Sequence, residues 1–156
     1  MRTFTLQNND NTDLNFEEYQ GQNFLLLVFF RGAWCNHCKK QLVDINNQLE
    51  EFEKLGIKLL AISSDTKFKS SLLKTFLKLK FPVLSDEKFE VIDYLKLRTT
   101  YTIEGDKEIE VSKPAVMLID PETHDAIYEY VGTDFDDRLS AKTTLENINK
   151  LLTKKV

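Results

Sequence analysis

With 156 residues, 42% hydrophobic and 29% charged, the chain can bury a sizeable core in one domain, reads as residues 1–156 of a single domain, and looks neither membranous nor disordered. The 21 Lys and Arg against 25 Asp and Glu give a net charge of −4, which favours solubility; the lysines are dispersed among acids and form no phosphate-binding stripe, which argues against nucleic acid as a partner. The longest apolar stretch, residues 24–30, is too short for a membrane span, and the N-terminus lacks a basic-then-apolar leader, so a cytoplasmic location is expected.

In chain order, residues 3–6 read as a strand and 7–15 as a polar Asn/Asp-rich stretch. Residues 24–30 are apolar without alternation, as in a strand covered on both faces, the usual state of a central strand in an α/β sheet. Over 36–55, Leu42, Ile45, Leu49 and Phe52 recur with amphipathic helical spacing, and Gly56 ends the pattern. Residues 57–63 read as the next strand, completing a βαβ crossover.

A second helix is expected over 69–79 and a short one over 88–95, with Phe81-Pro82-Val83-Leu84-Ser85-Asp86 resetting the backbone between them. Thr99 to Ile103 favours strand and Glu104-Gly105-Asp106-Lys107 favours a turn, which suggests a β-hairpin before Pro114. Residues 115–119 and 127–131 are two more strands around the turn Asp120-Pro121-Glu122-Thr123. The last helix is expected over about 137–152, with Leu145, Ile148 and Leu152 as its apolar stripe. The fold class is therefore α/β, a central mixed sheet flanked by helices.

The two cysteines of the chain, Cys35 and Cys38, stand where the central strand hands over to the long helix. In a reducing compartment they need not form a structural bridge, and three residues is too short a span to staple a domain, so a catalytic, metal-binding or redox-sensing role gains weight. A zinc site would need two further ligands, and His37 and His124 do not form a paired set, so metal is the weaker reading.

Cys35 falls in the cap region of the helix, where unpaired backbone N–H groups and the helix field favour a thiolate; such placement moves a cysteine from about 8.5 toward roughly 3.5–7.5. Cys35 is the expected nucleophile. Cys38, three residues on and inside the helix, can reach a sulfur bonded to Cys35 and is the expected resolving residue. His37 either tunes the thiolate as an imidazolium or is a solvent-facing bystander. Asn36 offers a cap for the helix start. Trp34 and Phe30 could shield the dithiol, with a core place for Phe30 the plainer reading, and Arg31-Gly32 either brings a cation and a tight turn to the thiolate or is an ordinary surface pair.

The chain resembles the thioredoxin-like superfamily, and within it the peroxiredoxin-like branch of the alkyl hydroperoxide reductase and thiol-specific antioxidant (AhpC/TSA) type. The matching stretches are Phe29-Phe30-Arg31-Gly32-Ala33-Trp34-Cys35-Asn36-His37-Cys38, Leu60-Ala61-Ile62-Ser63-Ser64-Asp65-Thr66, Phe81-Pro82-Val83-Leu84-Ser85-Asp86 and Pro114-Ala115-Val116-Met117-Leu118-Ile119-Asp120. The resemblance implies a thioredoxin-like fold, Cys35 as attacking cysteine, Cys38 as resolving cysteine, and Pro114 as the cis-proline facing the dithiol, beside which the Lys113 backbone could align an incoming chain. The chain departs from a typical peroxiredoxin at Val28 and Gly32, where proline and threonine or serine are usual, and at Pro114, where the strand-start arginine would stand. Those groups normally orient a peroxide and stabilise its developing charge, and Arg31 is the replacement cation offered here. Trp34-Cys35-Asn36-His37-Cys38 also resembles the dithiols of thioredoxins and disulfide oxidants, with Asn36 in place of proline or glycine.

The leading expectation is a thiol-disulfide oxidoreductase acting through Cys35 and Cys38 on disulfides or hydroperoxides, with Cys35, Cys38, His37, Arg31, Trp34 and Pro114 at the site. It would need no separate cofactor, and its reducing equivalents would come from a thiol reductant such as thioredoxin or glutathione. The alternatives are a true peroxiredoxin and a non-enzymatic redox sensor or scaffold whose dithiol switches an interface.

Overall fold

A computed structural model describes residues 1–8, 10, 12–103 and 105–154. Its centre is a seven-stranded mixed sheet in the order β2-β1-β5-β4-β3-β8-β9. β3 (Phe24–Phe29) lies parallel to β4 (Ile57–Ser63) and antiparallel to β8 (Ala115–Ile119). β9 (Ala126–Val131) closes one edge against β8, while β5 (Val83–Ser85), β1 (Thr5–Asn8) and β2 (Asp13–Asn15) extend the other.

The unbroken apolarity of β3 has the expected cause. Leu26 and Val28 face one core with Phe30, while Leu25, Leu27 and Phe29 face another, and all six are fully buried. Each such side chain is worth roughly 1.5–3 kcal/mol relative to exposure, which fixes β3 between two helical layers. One layer supplies Leu42 and Ile45 from α2 (Asn36–Asn47), Phe52 from α3 (Leu49–Lys54), Leu73 from α4 (Lys67–Leu77) and Ile148 from α6 (Ala141–Thr153). The opposite core holds Phe16 from α1 (Phe16–Gln20) and Val91 and Ile92 from α5 (Glu90–Tyr94). A mixed sheet with helices on both faces is thus the architecture expected from the sequence.

Several boundaries differ from expectation for local reasons. The polar stretch 7–15 is not all loop: it contributes the end of β1 and all of β2, with Asn9 and Asn11 outside the described residues. The helix expected over 36–55 is two helices broken at Gln48. The weak helix former Asn46 sits just before that break, and its side chain is engaged elsewhere, donating to the Lys78 carbonyl and accepting from the Lys80 N–H at 3.1 and 2.8 Å. Residues 83–85 are a paired strand, not merely a backbone reset.

The hairpin is present as β6 (Arg98–Ile103) and β7 (Lys107–Ser112), a separate two-stranded sheet whose turn includes Gly105 and Asp106 at positive φ; Glu104 lies outside the described residues. The last helix starts at Ala141, not near residue 137. Ser140 caps it by accepting from Thr143 N–H, and Asp44 of α2 accepts from Ala141 N–H at 2.8 Å. Asp137 instead organises a turn, accepting from the Thr133 N–H at 2.8 Å and from the Tyr130 hydroxyl.

Candidate active site

Beyond β3 the chain turns through residues 30–35 before α2 begins. Phe30 N–H still bonds the Ile62 carbonyl at 3.0 Å, and Ala33 N–H is held by the carboxylate of Asp65, which follows β4, at 2.7 Å. Burial pushes the Asp65 carboxyl up from its usual range. The loop is therefore pinned to the end of the neighbouring strand.

Cys35 itself is the N-cap of α2, with extended backbone (φ −88°, ψ 114°), and its Sγ accepts from Cys38 N–H at 3.3 Å. The thiol does what a serine or aspartate oxygen does at an ordinary helix start. Asn36, offered as the cap by the sequence, is instead the first residue of the helix.

Both sulfurs are buried, and the cysteines are not bonded to each other. Cys38 Sγ accepts from the Arg31 backbone N–H at 3.3 Å and from Arg138 Nη2 at 3.1 Å. Cys35 Sγ lies 3.7 Å from Arg31 Nη1 and 3.9 Å from Arg138 Nη2. These contacts separate the two acidities. A side-chain hydrogen bond from Cys38 is the largest influence lowering Cys35, to about 5, and the Cys38 N–H, Arg138 and Arg31 act in the same direction against burial. Burial foremost, and then the hydrogen bond to Cys35, hold the Cys38 thiol well above its ordinary value. At neutral pH the pair is one thiolate and one thiol that donates to it.

The expected site residues divide on inspection. Arg31 is brought to the dithiol, and its guanidinium is enclosed by the rings of Tyr101, Trp34 and Phe135 at 3.9, 4.9 and 5.4 Å. Trp34 stays 38% exposed and stacks on Tyr101 of the hairpin, centroids 5.0 Å apart and planes at 19°. Gly32 permits that stack, because a Cβ there would strike the indole Nε1. Phe30 is a core residue. His37 is exposed, with its ring tilted on Phe135 at 5.1 Å; among the described residues no hydrogen bond joins it to either sulfur.

Pro114 requires a correction. The described residues contain no cis peptide bond, so Lys113–Pro114 is trans. The trans isomer is the ordinary one even before proline, where cis costs about 0.5–1 kcal/mol. The Lys113 backbone is also engaged: its N–H bonds the Leu97 carbonyl at 2.7 Å and its carbonyl accepts from the Ser112 hydroxyl at 2.9 Å.

Arg138 was not found by sequence reasoning. The turn over residues 132–140 carries it back to the dithiol, where it also bonds Gln41 Oε1 and the Phe135 carbonyl. Gly132 makes the turn possible, since a Cβ there would collide with the Asp137 carbonyl and crowd Pro114 Cγ at 2.9 Å. The signal in the sequence was an arginine directly after the acidic run Asp134-Phe135-Asp136-Asp137, too weak to separate from a helix start. No group of three or more His, Cys, Asp or Glu side chains among the described residues could hold a metal, and no helix among them is long and apolar enough to cross a membrane.

A dithiol at the junction of a central strand and a helix, on a mixed sheet covered on both faces, defines a thioredoxin-like protein. Likeness to solved structures bears this out for the fold. Peroxidoxin BcpB from Mycobacterium tuberculosis superposes with a TM-score of 0.81 over 99% of this chain and 94% of that one, at 17% identity. The reduced 2-Cys peroxiredoxin of Plasmodium vivax gives a TM-score of 0.80 over the same shares, at 20% identity.

The chain belongs to the AhpC/TSA family, whose model matches residues 1–124. Among curated relatives, peroxiredoxin Bcp of Escherichia coli K12 is 31% identical over 90 residues, so the match spans 58% of this chain and only 57% of that protein. The thiol-disulfide oxidoreductase ResA of Bacillus thuringiensis is 25% identical over 112 residues, 68% of this chain and 62% of that protein.

Proposed function

We propose that the chain is a thiol oxidoreductase in which Cys35 attacks and Cys38 resolves, acting on disulfides or hydroperoxides. The observation that carries this reading is the asymmetry of the two sulfurs: Cys35 is capped, flanked by two guanidiniums and lowered to about 5, while Cys38 stays protonated beside it. Relatives named as a peroxiredoxin and as a thiol-disulfide oxidoreductase support the same chemistry.

With a disulfide, the Cys35 thiolate displaces one sulfur as a thiolate and forms a mixed disulfide. Cys38 then attacks Cys35 Sγ, expelling the second thiolate as the Cys38 proton departs. With a hydroperoxide, Cys35 attacks the distal oxygen, the O–O bond breaks and an alcohol leaves after taking up a proton. The resulting sulfenic acid loses water as Cys38 closes on it. Either route ends in a Cys35–Cys38 disulfide that an external thiol, such as thioredoxin or glutathione, must reduce.

A peroxidase reading is favoured by one specific feature. Arg31 and Arg138 bring two guanidiniums to the sulfur although Pro114 occupies the place of the usual arginine, and those donors could stabilise charge developing on the leaving oxygen. Stopped-flow fluorescence of Trp34 in the reduced protein, mixed with hydrogen peroxide or with a small disulfide, separates the two substrates. Oxidation by peroxide at least 100-fold faster than that of a free thiol assigns a peroxidase. Sluggish peroxide oxidation with rapid disulfide exchange assigns a disulfide oxidoreductase, and failure with both defeats the proposal.

A further inference from the structure

Oxidation of the dithiol changes its charge, whereas the arginines beside it cannot respond by deprotonating. Arg31 is only 5% exposed, and Arg138 is half-buried. Among the described residues no carboxylate lies within ion-pair distance of either guanidinium. Arg31 has aromatic faces and Cys35 Sγ for company; Arg138 has the Phe135 carbonyl, Gln41 Oε1 and the two sulfurs. The Cys35 thiolate is thus the one anion in contact with either cation.

When Cys35 and Cys38 join, two electrons leave together with the Cys38 proton, and the thiolate charge is gone. The buried Arg31 and the half-buried Arg138 then remain without a counter-charge within ion-pair distance, which is most costly for Arg31. Directly beside Arg31 is a cavity of about 210 Å³ bordered by Thr99, Tyr101, Lys113, Pro114 and Thr133. Asp134 also borders it, with its carboxylate accepting from the Phe135 N–H at 2.7 Å. Of the charged groups, the buried Arg31 guanidinium and Lys113 border this space on the cationic side; the Thr133 hydroxyl beside them already donates to Asp137 at 3.0 Å, so the donors left for a small oxyanion are those of Arg31 and Lys113.

We infer that this cavity is an anion subsite linked to oxidation: it takes a carboxylate or an inorganic oxyanion when the Cys35 thiolate is absent and releases it when the thiolate returns. The inference deepens the proposed function, on which its redox linkage rests. It also names the class of reductant the site suits, a small thiol that carries a carboxylate. Such a thiol would place its carboxylate on Arg31 and its sulfur against the disulfide, whereas free sulfate would occupy the same position without reacting.

The test titrates sulfate into three samples by calorimetry: reduced protein, protein oxidised to the intramolecular disulfide as verified by mass, and Cys35→Ser, which lacks the thiolate without any redox step. Oxidised protein and Cys35→Ser are expected to bind sulfate at least 10-fold more tightly than reduced protein. Arg31→Met should abolish the difference, and Arg31→Lys should restore part of it, which a merely structural role for Arg31 would not do. A second arm compares the rate of disulfide reduction by 3-mercaptopropionate and by 2-mercaptoethanol, each normalised to a small reference disulfide; the carboxylate should give at least a 3-fold preference that added sulfate removes. Equal sulfate affinity in reduced protein and Cys35→Ser, or no binding to either, would overturn the subsite. Sulfate binding as expected with no carboxylate preference confines it to inorganic anions and overturns the reductant class. Failure of the disulfide to form defeats the redox linkage and the functional reading, while the Cys35→Ser arm still decides whether the subsite exists.

Discussion

Cys35→Ser is expected to lower turnover of both disulfides and hydroperoxides by at least about 10³-fold, to the background of the uncatalysed reaction, because a serine hydroxyl is not ionised near neutral pH and cannot accept the sulfur or oxygen being transferred. Cys38→Ser should behave differently. The first attack survives, so the protein is expected to stop after one event, as a mixed disulfide or a sulfenic acid on Cys35 that intact mass detects. The structure makes the contrast sharp because Cys38 N–H, a backbone group, continues to cap Cys35 Sγ in that variant, while the thiol that otherwise donates to it is replaced by a hydroxyl. Multiple turnover by Cys35→Ser, or loss of the first event in Cys38→Ser, would reverse the roles assigned to the two sulfurs.

Arg138→Met is the second large effect. Its guanidinium lies 3.9 Å from Cys35 Sγ and 3.1 Å from Cys38 Sγ and is a cation lowering both thiols. Removing a cation that lowers the thiol should move Cys35 up from about 5, with the Cys38 hydrogen bonds that lower it most still in place. At pH 6 the thiolate fraction, and with it the rate of alkylation by iodoacetamide, should fall, whereas near pH 9 the variant and the parent should react alike. A rate that fell equally at every pH would mean that the substitution had disturbed the loop and not the charge. Arg138→Lys should recover part of the shift, since it keeps the charge but loses the forked contacts to Gln41 and the Phe135 carbonyl.

The parts of this protein that were legible in its sequence are those in which chain-local pattern and burial agree. β4 and β8 have the expected bounds because each is an apolar run that ends at or just before a polar residue, Ser63 or Asp120, whereas β3 departs by one residue because buried Phe30 continues its apolar run past the last paired residue. The hairpin before Pro114 was legible from β-branched residues around a Gly-Asp turn. The break at Gln48 was not, because it depends on Asn46 reaching a segment more than thirty residues away.

The site shows the same division. The placement of Cys35 at a helix start follows from a strand-to-helix junction, and Arg31 reaches the sulfur because it is four residues upstream in the same turn. Arg138 and Tyr101 arrive from distant turns and strands, and only the fold brings them together. Pro114 illustrates the opposite error: the resemblance assigned it a cis bond, and the bond is trans.

The most direct test is the absorbance at 240 nm of the reduced protein as a function of pH. One step near pH 5 with the amplitude of a single thiolate is expected, with Cys38 remaining protonated through pH 9. A protein with no step below pH 8, or with both thiols ionising together, would lack the asymmetric dithiol on which the proposed chemistry depends.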